Sequence, residues 1–147
     1  MPSDLPHTPG TYILLLRLDQ PLTVQVGRLG RFELAPGSYA YVGSAHGPGG
    51  LAARVTRHLR TAKRPHWHID YLTARAPVIA LWLDASPARL ECVWAGALRQ
   101  APGVTVPIAR FGASDCACPA HLFRVPDGDL TPLWDALSRP VWISLRR

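Results

Sequence analysis

The stretch YAYVGSAHGPGGLAARVTRHLR, residues Tyr39–Arg60, contains a strand, a glycine-rich loop and a helix in immediate succession. Its aromatic and β-branched beginning predicts a strand at Ser38–Val42. The residues after the loop have apolar side chains at helical spacing, which predicts a helix at Leu51–Thr61. Because the apolar stripe of that helix has to be covered, we expect the helix to pack on the sheet that contains the strand.

Two further core strands are predicted from short apolar runs between turn residues, at Thr11–Leu18 and Val78–Asp84. The alternating segment Leu22–Leu34 predicts a hairpin added to the same sheet. The fold class is therefore α/β of the α+β type, with a small antiparallel sheet of three core strands plus the hairpin, flanked by helices. We expect residues 1–147 to form a single domain.

The second half of the chain predicts one clear helix and two weaker elements. Ser86 and Pro87 supply an N-cap and a first-turn proline for a helix that extends to Gln100. Beyond this helix, proline and glycine become frequent. Residues 129–138 are predicted to form a helix, and the segment VWISL at 141–145 is predicted to form a last strand.

The composition favours an anionic partner. The 147 residues include 16 Lys and Arg against 10 Asp and Glu, a formal charge of +6, so nucleic acid suits the chain better than a polycation does. The beginning of the chain lacks a secretory signal, and no run reaches the roughly 18 apolar residues of a membrane span. Three cysteines, an odd number, argue against a secreted disulfide framework. We expect a cytoplasmic protein that does not bind membranes, and the sequence indicates no oligomeric state.

The helix after the glycine loop carries a polar pair beside its apolar stripe. On a helical wheel, Leu51, Val55 and Leu59 mark the core side, and Arg54 and His58 lie on its rim. A polar pair that flanks the core instead of facing water is typical of a functional site.

The loop itself predicts an anion site, because free N–H groups and the dipole of a helix N-terminus favour phosphate. Arg57 and Arg60 fall on the far side of the helix, where they are better explained as ordinary solvated charges. The predicted phosphate and nucleic-acid contacts are Gly43, Ser44, His46, Gly49, Gly50, Arg57, Arg60, Lys63 and Arg64.

Three segments, in this order, resemble the signature of the GIY-YIG nucleases, the fold of the excision-repair incision nuclease and of some homing endonucleases. They are GTY at 10–12, YVG at 41–43 and LAARVTRHL at 51–59. The resemblance covers most of residues 10–100, and 101–147 would be an extension. The chain is also similar to a branch of the family, without an assigned activity, that occurs as small stand-alone proteins and attached to some archaeal endonuclease III-type DNA glycosylases. The resemblance implies a metal-dependent endonuclease acting on DNA, in repair or processing.

The resemblance also implies roles for five side chains. Tyr12 is the general base for the attacking water and Tyr41 lies beside it, while Arg54 and His58 act on the phosphate. Glu91, on the edge of the next helix, holds one Mg²⁺ or Mn²⁺ ion. Because a tyrosine with its usual pKa of about 10 is a weak base at neutral pH, the site has to favour the ionised phenol.

The chain departs from the family pattern in three ways. Thr11 and Val42 replace two isoleucines, and the interval between Tyr12 and Tyr41 is longer than in the family. The chain also contains no asparagine, which the family often places after the second helix. The first alternative is therefore a nucleic-acid-binding module that has lost catalysis.

The segment HWHID, residues 66–70, raises a second alternative. On a strand, His66, His68 and Asp70 would all point to one side, as in some zinc-dependent hydrolases with a His-x-His-x-Asp motif. Those enzymes have another histidine where Tyr71 stands here, and the apolar residues between the three suit a packed segment. A structural or substrate-positioning role is favoured over a metal site.

The segment CACPAH, residues 116–121, offers Cys116, Cys118 and His121, with Cys92 as a fourth ligand. Zinc-binding cysteines are typically about two to four residues apart, and Cys92 faces away from the core stripe of its helix. The sequence therefore favours small buried thiols here over a zinc site.

Overall fold

The computed structural model describes residues 5–60, 63–113 and 116–145. Five antiparallel strands form its main sheet, in the order β6-β4-β1-β5-β7, and β2 and β3 form a second, two-stranded sheet. In chain order the elements are β1 (Gly10–Leu18), β2 (Leu22–Val26), β3 (Gly30–Leu34), β4 (Gly37–Ala45), α1 (Gly50–Leu59), α2 (His68–Thr73), β5 (Val78–Asp84), α3 (Glu91–Gln100), β6 (Leu122–Val125) and β7 (Val141–Ser144). The predicted α+β fold class is confirmed.

Strand β1 is the central strand, and its apolar run is buried because β4 and β5 cover both of its edges. Side chains alternate between two cores, as the period of a strand requires. Tyr12 and Leu14 belong to the core beneath α1 and α2. Ile13 and Leu15 belong to the core on the other side of the sheet, where Trp94 of α3 packs. The two faces of the sheet are therefore covered by different helices.

The hairpin β2–β3 is present, but it does not join the main sheet. Both edges of β1 are paired, one with β4 and the other with β5, so the hairpin has no place beside β1. The chain leaves the main sheet after β1 and returns to it with β4. Its alternating residues Leu22, Val24 and Val26 face inward and extend the core beneath α1 and α2. The hairpin therefore enlarges one core instead of adding strands at an edge.

Two predicted helices are shorter in the structure. Helix α3 begins at Glu91 and not at the predicted Pro87, because residues 87–89 are exposed and offer no apolar stripe to hold a helix. The predicted helix at 129–138 is reduced to a 3-10 turn at Thr131–Leu133 followed by turns. Left-handed backbone at 138 and 139 ends that segment.

Most of the remaining predicted elements end within one or two residues of the structure, whereas β4 extends three residues beyond the predicted Val42, to Ala45. Strand β7 lies where the last strand was predicted, and it pairs with β5. Helix α1 ends at Leu59, with Arg60 extended, and position 61 lies outside the described residues. Strand β6 was not predicted, and it closes the sheet beside β4. No helix in the described part of the chain is long and apolar enough to cross a membrane.

Candidate functional site

A buried hydrogen bond between Tyr12 and His58 lies at the centre of the site. The Tyr12 hydroxyl is 2.6 Å from Nε2 of His58, and both side chains are 1% exposed. Gly43 is the partner of Tyr12 on β4, and a Cβ atom at that position would collide with the phenol. Gly43, predicted as a phosphate contact, is therefore needed to make room for the tyrosine.

Burial keeps both members of this pair neutral. It raises the pKa of Tyr12 well above its usual value, and the neighbouring Arg54 only partly opposes that effect. Burial also lowers the pKa of His58 to about 3. A neutral phenol next to a neutral imidazole donates its hydrogen bond to Nε2. The ionised phenol that a general base requires is therefore not favoured in the free protein.

Tyr41 joins this pair to a second part of the site. Its ring meets His58 edge-on, with 6.2 Å between ring centroids, and it meets Phe111 at the same distance. Gly112 has a φ of 72°, and a Cβ atom there would touch both Tyr41 and His121. The segment around Gly112 therefore packs directly on the second tyrosine.

Glu91 completes the predicted group of five from the first turn of α3. Its carboxylate Oε2 lies 3.6 Å from Nδ1 of His121, and its side chain is 29% exposed. The charge of Glu91 also raises the pKa of Tyr12 and of Tyr41, although burial contributes more. The carboxylate is thus close enough to both phenols to act on them electrostatically.

Arg54 and Arg57 lie beside the same aromatic ring. Their guanidinium carbons are 4.3 and 4.5 Å from the ring centroid of Trp67. Arg54 donates a hydrogen bond to the carbonyl of Ser44, and Arg57 forms a 2.8 Å ion pair with Asp70. Arg57 is thus not the solvated charge that its position on the wheel indicated. Both arginines line a small pocket of about 170 Å³ beside the glycine loop.

The N–H groups at the N-terminus of α1, which were predicted to bind an anion, are already hydrogen-bonded to the protein. The N–H of Leu51 donates to the carbonyl of Thr8 at 3.0 Å, and the next N–H donates to the carbonyl of Pro6 at 2.8 Å. Gly50 has a φ of 58°, and a Cβ atom there would collide with the Thr8 carbonyl. Gly49 and Gly50 therefore let the preceding segment cap the helix, so these N–H groups are not available to a phosphate.

The other predicted basic contacts divide into two kinds. Lys63 donates to the carbonyls of His58 and Arg60, at 3.2 and 2.5 Å, and to the hydroxyl of Thr73 at 3.0 Å. It therefore closes the C-terminal end of α1. Arg60 and Arg64 are exposed and present their charge to solvent, whereas the predicted contact His46 is only partly exposed.

The segment HWHID forms the start of α2 and not a strand. Asp70 is buried, and its Oδ2 accepts the N–H groups of His66 and Trp67 at 2.7 and 2.9 Å. His68 instead turns to another part of the chain, where its Nδ1 accepts the N–H of Gly112. Among the described residues, the three do not form a metal-ligand group. Asp70 therefore has a structural role at the start of α2, and the described residues of this segment do not form the metal site that the zinc-hydrolase alternative requires.

The cysteine cluster consists of Cys92, Cys116, Cys118 and His121. Its four ligand atoms lie within 4.8 Å of one another. Cys92 is exposed and the other two thiols are partly exposed, so the predicted small buried thiols are not what the structure contains. The sequence named the same four residues as possible ligands, but their approach depends on packing between α3, which carries Cys92, and the loop before β6, which carries the other three.

A separate groove lies on the other face of the main sheet, away from these residues. Its volume is about 850 Å³, and its walls include Trp82, Trp134 and Trp142. None of the predicted site residues that the structure describes lines it. We therefore take the smaller, polar site as the candidate, because it collects the groups that can carry chemistry.

Comparison with known families gives one match. The model of a family described as "Domain of unknown function DUF123" matches residues 11–138, which include both the tyrosine–histidine pair and the cysteine cluster. Searches of curated proteins and of solved structures found no match.

Proposed function

We propose a function for this chain, which belongs to the DUF123 family: hydrolysis of DNA phosphodiester bonds by a metal-dependent endonuclease of the GIY-YIG type. The observation that carries the proposal is the convergence of Tyr12, Tyr41, His58 and Glu91, from β1, β4, α1 and α3, around one buried hydrogen bond. Clusters of buried titratable groups with displaced pKa values occur preferentially at functional sites.

The Tyr12–His58 hydrogen bond supports a proton relay in place of an ionised phenol. The Tyr12 oxygen takes a proton from the attacking water, and the Tyr12 proton passes to Nε2 of His58. The negative charge of an arriving phosphodiester favours the imidazolium that results, since an opposite charge raises the pKa of a histidine. The hydroxide attacks phosphorus, and the P–O bond on the opposite side breaks. The leaving oxygen takes a proton from solvent water, and the imidazolium of His58 then returns its proton to solvent.

Basic residues around this pair are placed to bind the sugar-phosphate backbone. Arg54 and Arg57 line the small pocket beside the glycine loop. Arg60 and Arg64 extend the positive surface into solvent. Contacts of this kind fix the position of a nucleic acid without reading its sequence.

Glu91 fits the role of ligand for one Mg²⁺ or Mn²⁺ ion. Its carboxylate offers the oxygen donor that these ions prefer, and it is partly exposed, so water can complete the coordination. When bound, the ion supplies stabilisation of negative charge on the phosphate oxygens.

The test is cleavage of branched, nicked and damaged DNA in the presence of Mg²⁺ or Mn²⁺. Tyr12→Phe keeps the ring and removes the hydroxyl, so we expect a loss of about 10²–10⁴-fold in rate, the range for general acid–base groups. Tyr71→Phe, at a partly exposed tyrosine of α2, is the matched control and should cleave like the unchanged protein. Equal rates for Tyr12→Phe and the control would remove the tyrosine from the reaction.

The second candidate is a nucleic-acid-binding module without catalysis. The raised pKa of Tyr12 favours it, because the free protein holds that phenol protonated. Under this alternative the unchanged protein binds DNA but does not cleave it with either ion. Arg60→Gln combined with Arg64→Gln then weakens binding and lowers its salt dependence.

A further inference from the structure

The loop that carries two of the cysteines is held in shape by one arginine. Arg110, with a φ of 66°, donates to the carbonyls of Ala113, Cys116 and Cys118. Its own N–H donates to the carbonyl of Pro119 at 2.7 Å. We call residues 110–121 the cysteine loop, of which 114 and 115 lie outside the described residues. The backbone next to both thiols is therefore fixed before any ligand arrives.

His121 is fixed from the other side of the same loop. Its carbonyl accepts the N–H of Val42 on β4 at 2.9 Å, and its N–H donates to the carbonyl of Phe111 at 2.8 Å. The ring is 1% exposed, and its Nε2 lies 3.4 Å from Sγ of Cys116. Its other nitrogen, Nδ1, faces Glu91 at 3.6 Å. In metal-binding histidines the second ring N–H usually donates to a carboxylate, and Glu91 lies on that side of the ring, just beyond hydrogen-bond distance.

We propose that Cys92, Cys116, Cys118 and His121 bind one zinc ion that fastens the cysteine loop to the first turn of α3. The four ligand atoms already lie within 4.8 Å of one another, although they come from two distant parts of the chain. This inference does not depend on the proposed nuclease activity.

The donor set selects the metal. Three sulfur atoms and one imidazole nitrogen are the ligands of structural zinc sites, whereas Mg²⁺ and Mn²⁺ prefer oxygen. Four protein ligands fill a tetrahedral shell and leave no open position for water, so the ion has a structural role.

The two features that counted against zinc in the sequence have structural explanations. The short spacing between Cys116 and Cys118 is workable because Arg110 holds the carbonyls of both residues. Cys92 faces away from the core of α3, and the cysteine loop lies on that side of the helix. The same ion orients His121, and through it Glu91, so the zinc site borders the tyrosine site.

The first experiment measures metal in the full chain, purified under reducing conditions without a polyhistidine tag. We expect one zinc per chain by elemental analysis. Replacing zinc by Co²⁺ should give the d–d bands of a tetrahedral site together with a thiolate-to-cobalt charge-transfer band. An ion bound loosely at the surface gives neither. A metal-free protein with three reduced thiols and no cobalt spectrum overturns the proposal, as does a disulfide that leaves a single free thiol.

Variants then identify the ligands. Cys118→Ser and His121→Asn should lose the bound metal, whereas His66→Ala, at an exposed histidine outside the cluster, should keep one equivalent. Glu91→Gln should keep the site but weaken metal affinity about 10–100-fold, as expected for a residue that orients a ligand. If a ligand variant does not fold, competition between the unchanged apoprotein and a chelator for Co²⁺ measures the affinity directly. Retention of one equivalent by folded Cys118→Ser would contradict the assignment.

Discussion

Two clusters of metal-binding residue types occur in this chain, and the fold treats them in opposite ways. His66, His68 and Asp70 lie within five consecutive residues, yet the structure separates their roles and uses the aspartate to start a helix. Cys92 and His121 are far apart in sequence, yet their ligand atoms lie within one metal-sized space. Compactness in the sequence is therefore a poor guide to compactness in space.

The difference has a simple geometric cause. Residues at i, i+2 and i+4 share a face on a strand, but each step of two residues on a helix turns the side chain by about 200°. The HWHID segment enters α2 at His68, so His68 and Asp70 point to nearly opposite sides of the helix, and His66 precedes the helix. The cysteine cluster depends instead on how α3 and the cysteine loop pack, which spacing rules do not describe.

The largest loss of stability that this comparison predicts follows from replacing Asp70. Asp70→Ala removes a buried carboxylate that accepts two backbone N–H groups and pairs with Arg57. We expect it to lower the free energy of unfolding by about 3–5 kcal/mol, the range for breaking a buried pair. Urea unfolding at neutral pH measures this. A change below about 1 kcal/mol would mean that the carboxylate is not a structural centre.

Removal of zinc should have the next largest effect, because a ligand that binds only the folded state stabilises it. At free zinc about 100-fold above its Kd, the stabilisation is about 2.7 kcal/mol. A strong chelator should therefore lower the Tm of the reduced protein. Hydrogen exchange should rise around Cys92 and His121 and stay unchanged in α2. Faster exchange in α2 alone would reverse the roles assigned to the two clusters.

Lowering the pH should reduce the stability that Asp70 contributes, gradually and by less than the changes above. Burial raises the pKa of Asp70, but hydrogen bonds from Arg57 and from the N–H groups of Trp67 and His66 outweigh it, so the net pKa is lowered. The resulting stability is present above the unfolded pKa of about 3.9 and is lost as pH falls through the folded value. Relative to Asp70→Asn, the stability advantage of the unchanged protein should be constant above about pH 5 and shrink below about pH 4.

The cysteine cluster should respond earlier in the same titration. Protons compete with zinc for the thiolates and for the imidazole, so zinc should be released at a higher pH than the one at which the Asp70 advantage fades. Metal release, followed with a chromophoric chelator, and unfolding, followed by circular dichroism, can be recorded on the same samples. Coincident transitions would show that the two clusters do not act separately.

The smallest effect should come from His66→Ala. The side chain is exposed, and the part of His66 that Asp70 binds is the backbone N–H, which alanine retains. We expect the free energy of unfolding to stay within about 0.5 kcal/mol and the zinc content to stay at one. A loss of metal in this variant would return the HWHID segment to the set of candidate ligands.

The sequence predicted the strands that are marked by a continuous apolar run. Thr11–Leu18 and Val78–Asp84 are apolar runs, and they became β1 and β5. The sequence misjudged the beginning of α3, because a capping signal at Ser86 and Pro87 means little without an apolar stripe to bury. It missed β6, a short strand whose pairing depends on a contact with β4 made 80 residues away in the chain.

For the site, sequence reasoning named the residues more reliably than their contacts. It grouped Tyr12 with His58, whose contact in the structure is a 2.6 Å hydrogen bond. It predicted Gly50 as a phosphate contact, because nothing in the sequence shows that the Thr8 carbonyl caps the helix. It also overlooked Arg110, whose role depends on carbonyl groups that carry no sequence signal.

The indole of Trp67 bears on the proposed binding of nucleic acid. Arg54 and Arg57 rest 4.3 and 4.5 Å from that ring, so their long side chains are already restricted in the unbound state. Immobilising such a side chain on association costs about 0.5–1.5 kcal/mol. Trp67 thus pre-organises Arg54 and Arg57 for contact with phosphate. Trp67→Leu should therefore weaken the proposed binding of nucleic acid, although it removes no positive charge.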